Sequence, residues 1–308
     1  MQYIEFGSTG KRISKVVLGC MRFPELSVPE ITSLVQFAFD HGINALDIAD
    51  IYTRGKAETL LGDALAGVPG LRDKLFIQTK CGIRKDPHCY DFSKEHILEA
   101  VEGSLKRLKT DHVDSLLLHR PDVLMEPEEV GEAFLKLHQE GKVLDFGVSN
   151  FNPAQMELLQ SGLGFKIAAD QVQLSVCHTP MIDHGIHVNM VENDLAQNRD
   201  GSILEYCRLK DITVQAWSVM QHGFFKGVFI GDPQYLRLNS VLDRIADEQG
   251  VKSSAVAIAW ILRIPGKIQG IIGTTKQSRV EIATHATDVK LTRGQWYEIY
   301  LAAGNDIP

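Results

Sequence analysis

Three polar residues close short apolar runs, and a fourth follows one of them. Asp47 closes one run in Leu46-Asp47-Ile48-Ala49-Asp50-Ile51-Tyr52, with Tyr52 five positions later in the loop that follows. Lys80 closes a second in Gln78-Thr79-Lys80-Cys81-Gly82, and His119 a third in Leu116-Leu117-Leu118-His119-Arg120-Pro121. A carboxylate, a phenol, an ammonium and an imidazole can between them move a proton and stabilise charge that develops on an oxygen. Taken singly, each has a plainer explanation: a solvated lysine, a satisfied core histidine, an aspartate cap. Their joint placement matters more, because three of them end consecutive strands and so point into one mouth.

The elements that must position them follow from periodicity. Short apolar or β-branched runs alternate with helical patterns: Val16–Gly19 then Ser27–His41, Ala45–Ile48 then Ala57–Leu65, Leu75–Lys80 then Ser93–Leu108. The series goes on with Val113–His119 and Glu128–Glu140, then Leu144–Ser149 and Pro153–Leu159. Further strands are expected at Ile167–Gln171, Thr213–Ser218 and Gly270–Ile272, and further helices at Ile203–Leu209, Val241–Gln249, Ser254–Leu262 and Ser278–His285. Such alternation means parallel strands covered by crossover helices. Eight of them, with no Pro/Gly/Ser linker, predict a single α/β domain over residues 1–308, a (β/α)8 TIM barrel whose active site lies at the C-terminal strand ends. Two additions are expected: an N-terminal β-hairpin over Tyr3–Val17, turning at Gly7 to Gly10, and a C-terminal extra helix bearing Trp296, Tyr297 and Tyr300. The polar stretch His178–Arg199, with His178, His184 and His187, reads as a long loop and a substrate lid.

On these segments the chain resembles an aldo-keto reductase over nearly its whole length: the hairpin, then DIADIY, TKCG, LLLHRPD, GVSNF and IIGTT. The spelling is closest to a bacterial branch with KCG after the lysine and AWS on the seventh strand. The resemblance implies a catalytic set of Asp47, Tyr52, Lys80 and His119, and a reversible reduction of an aldehyde or ketone to its alcohol by hydride transfer. The chemistry is consistent with it. Tyr52 can give the carbonyl oxygen its proton; a phenol pKa of ~10 is high for this, and the Lys80 ammonium is expected to lower it. Asp47 would orient Lys80, and His119 would hydrogen-bond the substrate oxygen.

No GxGxxG opens a helix after a strand, so there is no Rossmann fingerprint. The resemblance implies instead that the barrel holds NADP(H). Ser149, Asn150 and Gln171 match the positions that bind the nicotinamide carboxamide, and Trp217 stands where an aromatic stacks on its ring. Gly19, Ser218, Gly273, Thr274, Lys276 and Arg279 complete the expected cofactor set, the last three resembling ligands of the adenosine 2′-phosphate. The chain departs from the family at Thr53, where Gly is usual, at Gln173, where Glu is common, and at Ile282 and Ala283, where Glu-Asn often grips adenine. The loop Ser218–Gly231, with Phe224, Phe225 and Phe229, aligns only loosely with the segment that covers the pyrophosphate.

Composition narrows the alternatives. With 32 Lys and Arg against 39 Asp and Glu the net charge is −7, and no basic run creates a nucleic-acid footprint. The five cysteines are scattered and never spaced as CxxC, which argues against a disulfide framework or a zinc knuckle. Residues 1–15 lack a signal-peptide core and no run approaches the ~18 apolar residues of a membrane span, so a cytoplasmic protein acting on a small-molecule carbonyl is expected. Two rival readings remain: a non-catalytic NADP(H)-binding redox-sensing subunit, against which the intact set of four residues argues, and a metal-dependent barrel hydrolase, for which the required His-x-His is missing. No metal ligand set is expected. The segments Met21–Pro24, Arg120–Leu124, His178–Arg199 and Gln221–Phe229 are expected to set specificity.

Overall fold

The computed structural model describes every residue except Pro87, Val191, Glu192, Phe224, Phe225 and Pro308. Eight parallel strands close into a barrel: Val16–Gly19, Ala45–Asp47, Phe76–Cys81, Val113–Leu118, Val143–Ser149, Ala169–Gln173, Thr213–Trp217 and Ile268–Ile272. Closure comes from the eighth strand pairing with the first, Gly270 opposite Val16 and Ile272 opposite Leu18. The strands are buried on both faces, which explains their continuous apolar spelling.

Each crossover helix starts and stops for local reasons. The helix Val28–Asp40 follows Ser27, whose backbone N–H donates to the Glu30 carboxylate at 2.8 Å in a capping box, and it ends where Gly42 takes a φ of +85°. Helix Pro153–Gly162 opens with the reciprocal Asn152 and Gln155 pair, both bonds 2.9 Å. Helix Leu236–Gln249 starts five residues before the position the periodicity suggests, because Asp232 caps a short turn at Pro233–Tyr235 that feeds directly into it.

The N-terminal strands Tyr3–Glu5 and Arg12–Ser14 form the expected antiparallel hairpin, while Val16 and Val17 belong to the barrel. The hairpin closes the bottom of the barrel. Phe6 and Ile13 are buried there with Val17, Ala45, Phe76, Leu117 and Ile271. At Gly7, φ +51°, an added Cβ would come within 2.8 Å of the Ala168 backbone, so this close approach requires glycine. At the other terminus the helix Arg293–Ala302 packs on the barrel as expected. Trp260 and Trp296 stack with centroids 4.6 Å apart, and each indole N–H donates to the other's backbone carbonyl, at 2.9 and 3.0 Å.

Two segments differ from the sequence reading. His178–Arg199 is not one long loop: Pro180–Ile186 is helical, His184 and His187 are buried, and the Asp183 carboxylate accepts the Tyr300 hydroxyl at 2.7 Å. A second hairpin, Ile83–Lys85 with His88–Tyr90, follows the third barrel strand and has no counterpart in the expected element list. Among the described residues, no helix is long and apolar enough to cross a membrane.

Candidate active site

The barrel opens at its C-terminal end into a cavity of about 740 Å³. That volume suits a small-molecule or cofactor site. The eight strands divide its rim. From the first four come Gly19, Met21, Arg22, Asp47, Tyr52 and His119; from the last four come Ser149, Asn150, Gln171, Trp217, Ser218, Gly273, Thr274 and Arg279.

The structure brings the four chemistry-bearing residues of the first half together. Lys80, fully buried, donates from Nζ to Asp47 Oδ2 at 2.8 Å, to the Ile48 carbonyl at 2.8 Å and to the Tyr52 hydroxyl oxygen at 3.3 Å. Three partners use all three ammonium hydrogens. Because Lys80 occupies a lone pair of the Tyr52 oxygen, the phenolic hydrogen is left to point elsewhere. The Tyr52 ring meets His119 edge-on, centroids 5.8 Å apart. His119 lies one residue past its strand, which ends at Leu118, and its Nδ1 is buried without a hydrogen-bond partner among the described residues.

Electrostatics sort the protonation states. The Lys80 ammonium is opposed by burial, but the Asp47 carboxylate and Tyr52 outweigh that and hold its pKa above the ordinary value. Burial, reinforced by the Lys80 and Arg120 charges, pushes His119 well below 6.5, so its imidazole is neutral at pH 7. The Tyr52 phenol moves opposite to the sequence expectation. Burial raises it, the Lys80 ammonium works the other way, and the net direction is up. At neutral pH, then, Tyr52 carries its proton, and Lys80 stands beside the oxygen that would be left after donation.

Beneath this group lies a set of buried glutamines. Gln78 and Gln171 each donate to Asp47 Oδ1 at 2.8 Å, and each also donates to Gln215 Oε1, at 2.8 and 3.3 Å. Gln215 in turn donates to Gln269 at 3.0 Å, which reaches the Ser14 carbonyl at 2.7 Å. The Asp47 charge is thus solvated by amides in place of water. Only Gln171 was singled out from sequence, and it sits at the centre of its strand, not at the end. The available signal was glutamine inside four otherwise apolar strands, one in each except Ala169–Gln173, which has two.

In the second half of the rim, Asn150 and Ser218 take left-handed backbone conformations, φ 63° and 56°, directly after the fifth and seventh strands. Such geometry in non-glycine residues is costly and often found at functional sites. The Asn150 amide donates to Ser149 Oγ at 2.9 Å and to the His119 carbonyl at 3.3 Å, and its Oδ1 accepts the Trp217 indole N–H at 3.2 Å. Trp217 is therefore held at the cavity wall and is not buried in the core. Gly19 lines the wall where an added Cβ would come within 3.0 Å of the Ile271 side chain.

Gly273, Thr274 and Arg279 line the far end, with Arg279 in the first turn of helix Gln277–Thr284. Lys276, expected beside Arg279 in the cofactor set, does not line the cavity. It is the extended N-cap residue, exposed and outside the cavity lining. Ile282 and Ala283 make an apolar wall there. Among the expected specificity segments, Met21, Arg22, Arg120, Gln221 and Val228 reach the cavity, whereas no described residue of 178–199 does, so the described part of that stretch does not line the cavity as a lid would. Phe224 and Phe225 lie outside the described residues. Ile83, from the unexpected hairpin, also contributes to the cavity wall.

Comparison with known proteins agrees with this geometry. Residues 15–300 match the Aldo/keto reductase family. The chain is 36% identical to Oxidoreductase YdhF of Escherichia coli over 100% of both chains. It is 37% identical to a 6-dehydroglucose reductase of Agrobacterium fabrum, over 96% of each. Among solved structures it resembles the thermostable aldo-keto reductase Tm1743, with a TM-score of 0.77 and 25% identity over 98% of this chain and 100% of that one.

Proposed function

Because the chain belongs to the aldo/keto reductase family, we propose that it is an NADP(H)-dependent enzyme that interconverts an aldehyde or ketone and its alcohol. The observation that carries this reading is the Lys80 contact pattern, which joins Asp47, Lys80 and Tyr52 into one buried unit beside a neutral His119 at the cavity floor.

The cavity residues fit a nicotinamide dinucleotide. Both amide hydrogens of Gln171 are engaged by Asp47 and Gln215, so its Oε1 is the acceptor that a carboxamide N–H₂ would meet. Trp217 offers a ring face, and Arg279 with Thr274 offers donors for a 2′-phosphate at the start of a helix. When bound, the reduced cofactor supplies the hydride.

The chain's own residues do the rest. His119, uncharged, donates a hydrogen bond to the carbonyl oxygen and sets its angle without competing as an acid. Tyr52 delivers its proton to that oxygen as charge builds there. Lys80 then stabilises the phenolate, and Asp47, solvated by Gln78 and Gln171, keeps Lys80 charged and in place. In alcohol oxidation the same steps run backwards with Tyr52 as base. All five cysteines are unpaired, which suits a reducing, cytoplasmic compartment.

The test is Tyr52→Phe. Carbonyl reduction should fall by ~10²–10⁴-fold, the usual worth of a positioned acid, while NADPH affinity stays close to wild type, since the hydroxyl acts on the substrate oxygen. Binding of NADPH by the wild-type protein without turnover on any carbonyl would instead favour a redox-sensing subunit.

A further inference from the structure

Two arginines stand on the side of the cavity that carries Tyr52 and His119. Arg22 follows the first barrel strand and is exposed; Arg120 follows His119 at the end of the fourth and is half-buried. Among the described residues neither guanidinium has an ion pair or a hydrogen bond. Three carboxylates of the neighbouring segments have other partners. Asp47 is paired with Lys80, Asp91 with Arg84 at 2.7 Å, and Asp122 accepts the backbone N–H groups of Phe92 and Leu124 at 3.0 and 2.9 Å. Arg120 is close enough to help depress His119, which places its charge beside the reacting oxygen's neighbour.

The division of the rim says what these charges are for. Arg279, at the far end among residues of the last strands, is the arginine placed for the cofactor. Arg22 and Arg120 come from the half that carries Tyr52 and His119. In a chain of net charge −7, the cavity lining holds three arginines and one aspartate, and that aspartate is neutralised by Lys80. Met21 and Ile83 add apolar wall on the same side. A guanidinium is a fork of donors matched to paired anionic oxygens, and unpaired at the mouth of an active site it attracts and orients an anion.

We propose that the physiological substrate is a carbonyl compound bearing an anionic group, a carboxylate or a phosphate, separated from its aldehyde or ketone by an apolar spacer. The carbonyl reaches Tyr52, the spacer lies against Met21 and Ile83, and the anion is held by Arg22 and Arg120. This deepens the reductase reading and rests on it.

The experiment compares aldehydes of one shape and different charge: 4-carboxybenzaldehyde, 4-formylphenyl phosphate and the neutral methyl 4-formylbenzoate. Each is assayed with NADPH on the wild type, Arg22→Met, Arg120→Met and the double variant. The wild type should prefer one of the anionic aldehydes in kcat/KM, the phosphate arm deciding between the two anions. That preference should shrink by about tenfold for each arginine removed, the size of a charge-assisted contact. Equal use of the ester and both anions by the wild type, or a preference that survives in the double variant, overturns the proposal. The alcohols 4-(hydroxymethyl)benzoate, 4-(hydroxymethyl)phenyl phosphate and methyl 4-(hydroxymethyl)benzoate are titrated calorimetrically in parallel, with and without NADP⁺. If no aldehyde is turned over, the reductase reading has failed, and the titrations still decide the anion site: tighter binding of an anionic alcohol that is lost in the double variant supports it, and equal binding of all three sinks it.

Discussion

Gln171 donates its side-chain amide to Asp47 Oδ1 across the barrel at 2.8 Å, tying the half of the rim that would hold the cofactor to the half that carries Tyr52. One residue thereby serves two tasks, solvating the Asp47 charge and presenting Oε1 to the cavity. Gln171→Leu should weaken NADPH by about tenfold, one hydrogen bond's worth, and also lower kcat at saturating NADPH, because Asp47 loses a donor. A loss of affinity with kcat intact would separate the two tasks.

Lys80→Met removes one member of an ion pair whose side chains are 0% and 5% exposed. Leaving Asp47 uncompensated should cost ~3–5 kcal/mol of stability, the usual penalty for breaking a buried pair from one side. The double variant Asp47→Asn/Lys80→Met should regain much of that stability in urea melts and none of the turnover. If turnover returned with stability, the lysine would be structural and not part of the chemistry.

The candidate catalytic group and the barrel were readable because a polar residue that ends an apolar strand has one place to go in a closed parallel barrel. Asp47, Lys80 and His119 all announced themselves this way. The glutamines did not. A strand buried on both faces carries no alternation, so nothing local shows that Gln78, Gln215 and Gln269 face the axis. The helix Pro180–Ile186 was also missed: its seven residues sit in a polar stretch, and the Asp183 contact with Tyr300 lies 117 residues away in the sequence. The phenol's direction was misjudged for a related reason: Lys80 could be placed beside Tyr52, but the depth of burial that outweighs it is a property of the assembled cavity.

Asp170 supplies a pH test away from the reacting atoms. It is fully buried, and burial pushes its carboxyl up to about 8, against hydrogen bonds from the backbone of Phe151 and Asn150 that act the other way. The folded protein therefore holds this proton between pH ~4 and ~8, where an unfolded chain has released it, so stability declines as pH rises through that window. Asp170→Asn removes the titration. Its stability relative to wild type should grow with pH by up to about 1.4 kcal/mol per unit, as read from urea midpoints at pH 5, 6.5 and 8; a difference independent of pH would contradict the assignment.

Arg279→Ala should weaken NADPH by ~10- to 100-fold, given roughly 1.5–3 kcal/mol for a charge-assisted hydrogen bond, and leave NADH nearly unchanged. Lys276→Ala should have the smaller effect, because Lys276 lies outside the cavity lining. Calorimetric titration of both cofactors checks this, and parallel losses for NADH and NADPH would show that Arg279 does not read the 2′-phosphate.

The reciprocal clasp of Trp260 and Trp296 gives the protein two optically separate regions. These two indoles are locked against each other on the outer helices, outside the cavity lining, while the third of the chain's three tryptophans, Trp217, stands in its wall. Emission from the stacked pair reports whether the C-terminal helix is docked. Emission from Trp217 reports what enters the barrel. A ligand-dependent change in intrinsic fluorescence should therefore fall most heavily on Trp217, and a Trp217→Phe substitution should shrink that change while leaving unfolding visible.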